Sequence, residues 1–117
     1  MSESSTPSGW PDAVYDAAAR QAIARVEAQV DSWLDDDLID IDAARTGGML
    51  TLSLPNRTQL IVNMQPPLHE LWLAARQGGY HFRFAGGDQW LDTRTGEDFF
   101  KVLSACASEQ AGQALAF

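Results

Sequence analysis

Apolar positions along the chain change period twice. Tyr15, Ala19, Ala22, Val26, Val30 and Trp33 recur at steps of three and four, while Asp16, Arg20, Glu27 and Asp31 fall on another face, which predicts an amphipathic helix. Pro11 suits the first helical position, where its missing N–H is not needed, and Asp12 adds negative charge at the positive end of the helix dipole. Asp35, Asp36 and Asp37 should end the helix. Three adjacent carboxylates at the negative terminus oppose the dipole, a locally unfavourable choice that suggests a use other than stability. The period then becomes two. Leu38 to Ala44 reads as a strand with Ile39 and Ile41 on one side and Asp40 and Asp42 on the other. Gly47-Gly48 supplies a tight turn into Met49 to Leu54, Pro55-Asn56-Arg57 supplies another, and Thr58 to Met64 forms a third antiparallel strand that ends at Pro66 and Pro67.

Leu68 to Arg76 fits both periods, since Leu68, Leu71, Trp72 and Ala75 suit a helix while Leu71, Leu73 and Ala75 suit a strand. Its setting favours a strand. It lies between Pro-Pro and Gly78-Gly79, and Tyr80, Phe82 and Phe84 and then Gln89 to Asp92 continue a meander. Thr95-Gly96-Glu97-Asp98 resembles a capping box with Asp in place of the usual Glu, opening a second helix with Phe99, Val102, Leu103 and Cys106 on one face. Gly112 marks its end. The order predicts an α+β two-layer sandwich, with the N- and C-terminal helices on one face of a five- to six-stranded antiparallel sheet.

Composition adds scale. The chain has 117 residues, 45% of them apolar with four Trp and five Phe, enough for one domain over residues 11–117 behind a flexible extension over residues 1–10. No apolar run approaches the roughly 20 residues of a membrane span. Met1 to Gly9 is Ser-rich without Lys or Arg, unlike a secretory signal or a transit peptide. A single cysteine, Cys106, forms no internal disulfide, and the cytoplasm is the expected compartment. The net charge is −8. All of it lies before residue 43, where ten Asp and Glu face Arg20 and Arg25, whereas six acids balance six bases in the remainder. That distribution argues against a nucleic-acid surface and for a cationic partner.

Enzymatic arrangements fail on inspection. Cys106 sits on an apolar stripe, as a buried inert thiol does. His69 and His81 lack partners at zinc spacing and read as structural or surface residues. The glycine pairs lack the context of a phosphate loop, and no nucleophile, base and orienter come together, so no enzyme is expected. Carboxylates remain, hard ligands suited to iron, manganese, magnesium or calcium. Glu27 and Asp31 are one helical turn apart, and Asp40 and Asp42 share one side of a strand. If that strand lies beside the first helix, one negative ridge results, without the enclosed loop of an EF-hand and therefore weak, multi-site and solvent-exposed as a metal site. The alternative, that these charges only keep a sheet edge soluble, stays open at this point.

Asn63-x-Gln65-x-Pro67-Leu-His-x-x-Trp72-Leu-Ala, followed by Gln77-Gly-Gly-Tyr-His-Phe82, closely resembles the bacterial frataxin family. Trp33 to Asp42 and Gly47-Gly48-x-Leu-Thr match the earlier part of that family, and the likeness runs from about Tyr15 to Gly112. The resemblance implies the sandwich fold and a non-enzymatic, iron-binding role in iron–sulfur cluster assembly. It implies that ferrous or ferric iron binds weakly at a ridge of Glu27, Asp31, Asp35, Asp36, Asp37, Asp40 and Asp42. The same ridge would dock on a cysteine desulfurase and its scaffold protein, with iron delivered there by a monomer or by iron-dependent oligomers. Ferroxidase or iron-storage activity, and an acidic interaction module with incidental metal, are the alternatives. The resemblance also sets a partner surface on the sheet. The pleat agrees: if Leu71 and Leu73 face the helices, Trp72 faces outward beside Asn63 and Gln65 as a partner anchor.

Overall fold

The computed structural model describes residues 8–117. Helices α1 (Asp12–Asp35) and α2 (Phe99–Ala111) flank in sequence the strands β1 (Asp42–Thr46), β2 (Met49–Ser53), β3 (Gln59–Gln65), β4 (Glu70–Ala75), β5 (Gly78–Phe84) and β6 (Trp90–Asp92). The strands form one sheet in chain order with every neighbour antiparallel. Every residue of the α1 stripe is buried, joined by Ile23. Leu50 and Leu52, Leu60 and Val62, Leu71 and Leu73, Phe82 and Phe84 alternate into the same core, and Phe99, Val102, Leu103 and Cys106 of α2 close it. Each large apolar side chain removed from water in this way stabilises the fold by about 1.5–3 kcal/mol. This is the expected α+β sandwich, with six strands. No helix among the described residues is long and apolar enough to cross a membrane.

Three local expectations are corrected. Pro11 is the N-cap, in extended backbone at φ −62 and ψ 143, and the helix starts one residue later. The first strand begins at Asp42 rather than Leu38. Ile41 is buried and Asp40 exposed as alternation requires, but the register that pairs Asp42 with Ser53 would next set Asp40 against Pro55, which has no N–H to give and opens a turn. At α2, Asp98 is itself the N-cap, accepting the Lys101 N–H at 3.1 Å, while the Thr95 hydroxyl accepts the Glu97 N–H in the turn before it. Asp therefore stands where its short carboxylate caps best, and the helix opens three residues later than the Thr95 box predicts.

Met1 to Pro7 of the expected extension lie outside the described residues. From Ser8 onward the chain touches the domain: the Trp10 ring lies 5.0 Å from that of Phe84, and the Ser8 hydroxyl bonds to His69 Nδ1. His69 is fully buried in left-handed backbone (φ 54, ψ 47), directly after the 3₁₀ turn Pro66–Leu68. Its Nε2 donates to Asp12 Oδ1 at 2.7 Å and its ring stacks on Tyr15. The Tyr15 hydroxyl donates to the Glu70 carbonyl at 2.7 Å and accepts the Gln65 N–H at 3.0 Å, holding both ends of the turn between β3 and β4.

Burial pushes the Tyr15 phenol up to about 12, helped by the Asp16 and Glu70 charges and opposed by the Gln65 N–H. An unfolded tyrosine ionises near 10. The raised value contributes stability that is complete below pH 10 and is lost as pH rises to about 12, because the unfolded chain releases its proton first. Urea denaturation at pH 9, 10.5 and 11.5 should show falling stability. Tyr15→Phe should be less stable at pH 9 and should flatten that slope, leaving the shares of Tyr80 and Cys106; an unchanged slope would reject the assignment.

Candidate functional site

The acidic region begins on the last turns of α1. Asp31 and Asp35 are exposed on the helix, and Asp36 is its C-cap. Asp37 follows in left-handed backbone at φ 56. The Asp37 N–H reaches the Leu34 carbonyl at 3.0 Å and the Leu38 N–H reaches that of Trp33 at 2.8 Å, the paired bonds of a Schellman turn. Glycine is the usual residue at that position because it lacks a Cβ to clash. Asp37→Gly is therefore expected to raise stability by about 0.5–1 kcal/mol in urea denaturation, through relieved backbone strain and one fewer carboxylate at the negative helix end. A loss of stability would refute this reading.

Asp40 and Asp42 are exposed in the linker and at the start of β1. Asp31, Asp35, Asp36, Asp37, Asp40 and Asp42 form no ion pair with any described cation. Glu27 differs. It is half-buried and paired with Arg45 of β1 at 3.1 Å, which ties the helix to the strand and partly neutralises that end of the ridge. Among the described residues no three carboxylate, histidine or cysteine side chains converge so as to hold one ion. The expected ridge residues thus lie along α1, its C-terminal turn and the approach to β1 as separate charges rather than as a closed cage.

The open face of the sheet carries the second group. Asn63, Trp72 and His81 are in direct register across β3, β4 and β5, and Gln65, Glu70 and Arg83 form the next row. Leu71 and Leu73 are buried and Trp72 between them is half-buried, so the pleat turns Trp72 outward as expected. The indole lies on the His81 ring with centroids 4.0 Å apart and planes 6° from parallel, and its N–H donates to Glu70 Oε1 at 2.8 Å. Sequence reading assigned no role to His81, Glu70 or Arg83. Period two places Glu70 on the face of Trp72, and Arg83 on that of His81, but cross-strand register was needed to join them. Cys106 is buried, and burial pushes its thiol up against the opposing hydrogen bond from Tyr80, as suits an inert thiol.

Comparison with known proteins gives one consistent result. A frataxin-like domain model matches residues 8–113. The chain is 53% identical over 106 residues to the iron–sulfur cluster assembly protein CyaY of Variovorax paradoxus, covering 91% of this chain and 96% of the relative. It is 49% identical over 106 residues to the CyaY of Polaromonas sp. strain JS666, covering 91% and 90%. Among solved structures, frataxin from Psychromonas ingrahamii superposes with a TM-score of 0.80 at 31% identity, over 92% of this chain and 97% of that one. A trimeric frataxin from Saccharomyces cerevisiae, complexed with ferrous iron, shares the fold at a TM-score of 0.67 and 21% identity, over 82% and 87%.

Proposed function

The chain belongs to the frataxin family of iron–sulfur cluster assembly proteins, and from that premise we propose that it binds iron weakly along its acidic ridge and docks on a cysteine desulfurase and its scaffold protein. The observation that carries this reading is the run of six exposed carboxylates without cationic partners among the described residues, from Asp31 to Asp42. Hard oxygen ligands spread over a surface suit several exchangeable ions rather than one enclosed centre. The same charges would steer a basic partner surface, and Trp72 would anchor a second contact on the sheet. Iron is cargo in this scheme, and no bond is made or broken by the protein itself.

Titrating ferrous iron without oxygen while following backbone amide signals tests both parts. Paramagnetic broadening should centre on Asp31 to Asp42 and spare the strands around Trp72; broadening centred elsewhere would overturn the ridge as the metal site. Trp72→Ala should keep that iron response yet weaken capture of the desulfurase–scaffold complex by about tenfold or more. Undiminished capture would remove Trp72 from the docking surface.

A further inference from the structure

We infer that Ser8 is an activated nucleophile that takes a short acyl group from a thioester or an aryl ester, through the hydrogen-bonded chain Ser8, His69 and Asp12. The inference is independent of the iron reading. Sequence spacing hid this set, because Ser8 and Asp12 meet His69 only across the turn between β3 and β4. A nucleophile, a base within hydrogen-bond reach and a third group orienting that base are together the signature of an activated hydroxyl, whatever their order in the chain.

Donor and acceptor roles follow from the partners. An ionised carboxylate only accepts, so the 2.7 Å contact to Asp12 Oδ1 puts the imidazole hydrogen on Nε2 and leaves Nδ1 bare toward Ser8. The Ser8 oxygen already accepts the Trp10 N–H at 3.2 Å, and its own hydrogen goes to Nδ1. The base is held still. Its ring lies on that of Tyr15 with centroids 4.8 Å apart and planes 11° from parallel, and the His69 carbonyl accepts the Phe84 N–H at 3.1 Å. Ser8 itself is half-buried and opens onto a groove of about 460 Å³, where Trp10, Leu68, Phe84 and Ala85 give apolar walls for a short aliphatic acyl chain.

Burial decides which chemistry the set supports. The His69 side chain is 0% exposed, whereas that of Asp12 is 85% exposed. As Ser8 Oγ bonds to the acyl carbon, its proton passes to Nδ1, and the Nε2 proton leaves through Asp12 to water. The bond from the acyl carbon to the leaving sulfur or oxygen breaks, and the leaving group departs with the electron pair. His69 cannot reach out to protonate that group, so the donor must release a stable anion, as thioesters and aryl esters do and alkyl esters do not. Acyl-Ser8 then covers Nδ1 and leaves no base for an attacking water. The acyl group therefore stays on Ser8 as a stoichiometric modification, without turnover.

The test treats the full chain, without iron, with p-nitrophenyl butyrate, S-phenyl thiobutyrate or ethyl butyrate and locates adducts by peptide mass spectrometry. The first two should load Ser8 to about one equivalent, roughly tenfold or more faster than Ser32, which is exposed on α1, and ethyl butyrate should not. Ser8→Ala should lose that equivalent. Asp12→Asn keeps an acceptor for Nε2 on an exposed side chain, so the fold should persist, yet without the charge loading should slow about tenfold or more. Asp12→Glu should recover it, which a merely structural role for Asp12 would not produce. No adduct on Ser8, one formed no faster than on Ser32, equal loading by ethyl butyrate, release of nitrophenolate by Ser8 that continues past one equivalent, an undiminished rate in Asp12→Asn, or a glutamate variant no faster than the asparagine one would each overturn the proposal.

Discussion

Replacing Asp31, Asp36 and Asp40 together by lysine is expected to weaken desulfurase binding by about a hundredfold or more at low salt, chiefly through slower association. The three stand on the helix, at its C-cap and in the linker, so the substitution spans the length of the ridge. All three are exposed and none pairs with a described cation, so no native contact is lost. The net charge changes from −8 to about −2. Lysine at the end of α1 also complements the helix dipole, so the variant should be at least as stable as the native chain. Weaker binding therefore could not be blamed on unfolding. Because the Debye length shrinks from about 10 Å at 0.1 M salt to about 3 Å at 1 M, native and variant affinities should converge as salt rises. Binding measured across that range decides the matter, and equal affinity at low salt would refute electrostatic docking.

Gln110→Ala should lower stability by about 2–3 kcal/mol, through polar groups left without partners more than through lost apolar area. Gln110 is 2% exposed on α2. Its Oε1 accepts the Arg76 N–H at 2.9 Å, and its Nε2 donates to the Thr58 hydroxyl at 3.1 Å and to the Gln59 carbonyl at 3.2 Å. Its own backbone carbonyl accepts the Asn56 amide at 2.7 Å. One side chain thus joins the second helix to the turn before β3 and to the turn after β4. Truncation strands a donor and two acceptors whose bonds to Gln110 are part-buried, and for a domain of this size the loss corresponds to roughly 8–12 °C in melting temperature. Urea and thermal denaturation measure it directly. A loss under about 0.5 kcal/mol would mean that water replaces the network at no cost.

The periodic parts of the fold were legible because they report burial directly. Every residue of the Tyr15 to Trp33 stripe is buried, and the alternation of Leu71 and Leu73 put Trp72 on the open face. What escaped depends on contacts between segments distant in sequence. Ile41 carries a strand's pattern outside the strand because the register next sets Asp40 against Pro55, which has no N–H to give. Arg45 neutralises Glu27 from a different element, so charge counting overstated that end of the ridge. His81 gained a role only from its register with Trp72. Spacing could place Glu27 beside Asp31 on the helix, but it could not tell a chain of separate carboxylates from a cage.

If Trp72 docks as proposed, it enters the complex already immobilised. Its ring rests flat on His81 and its indole N–H is tethered to Glu70, so its torsions are settled when the domain folds. A freely rotating side chain of this kind would surrender about 0.5–1.5 kcal/mol of rotamer freedom on association. Here that ordering belongs to folding, so a partner docking on this face would meet a rigid wedge whose entropy of fixation no longer opposes binding.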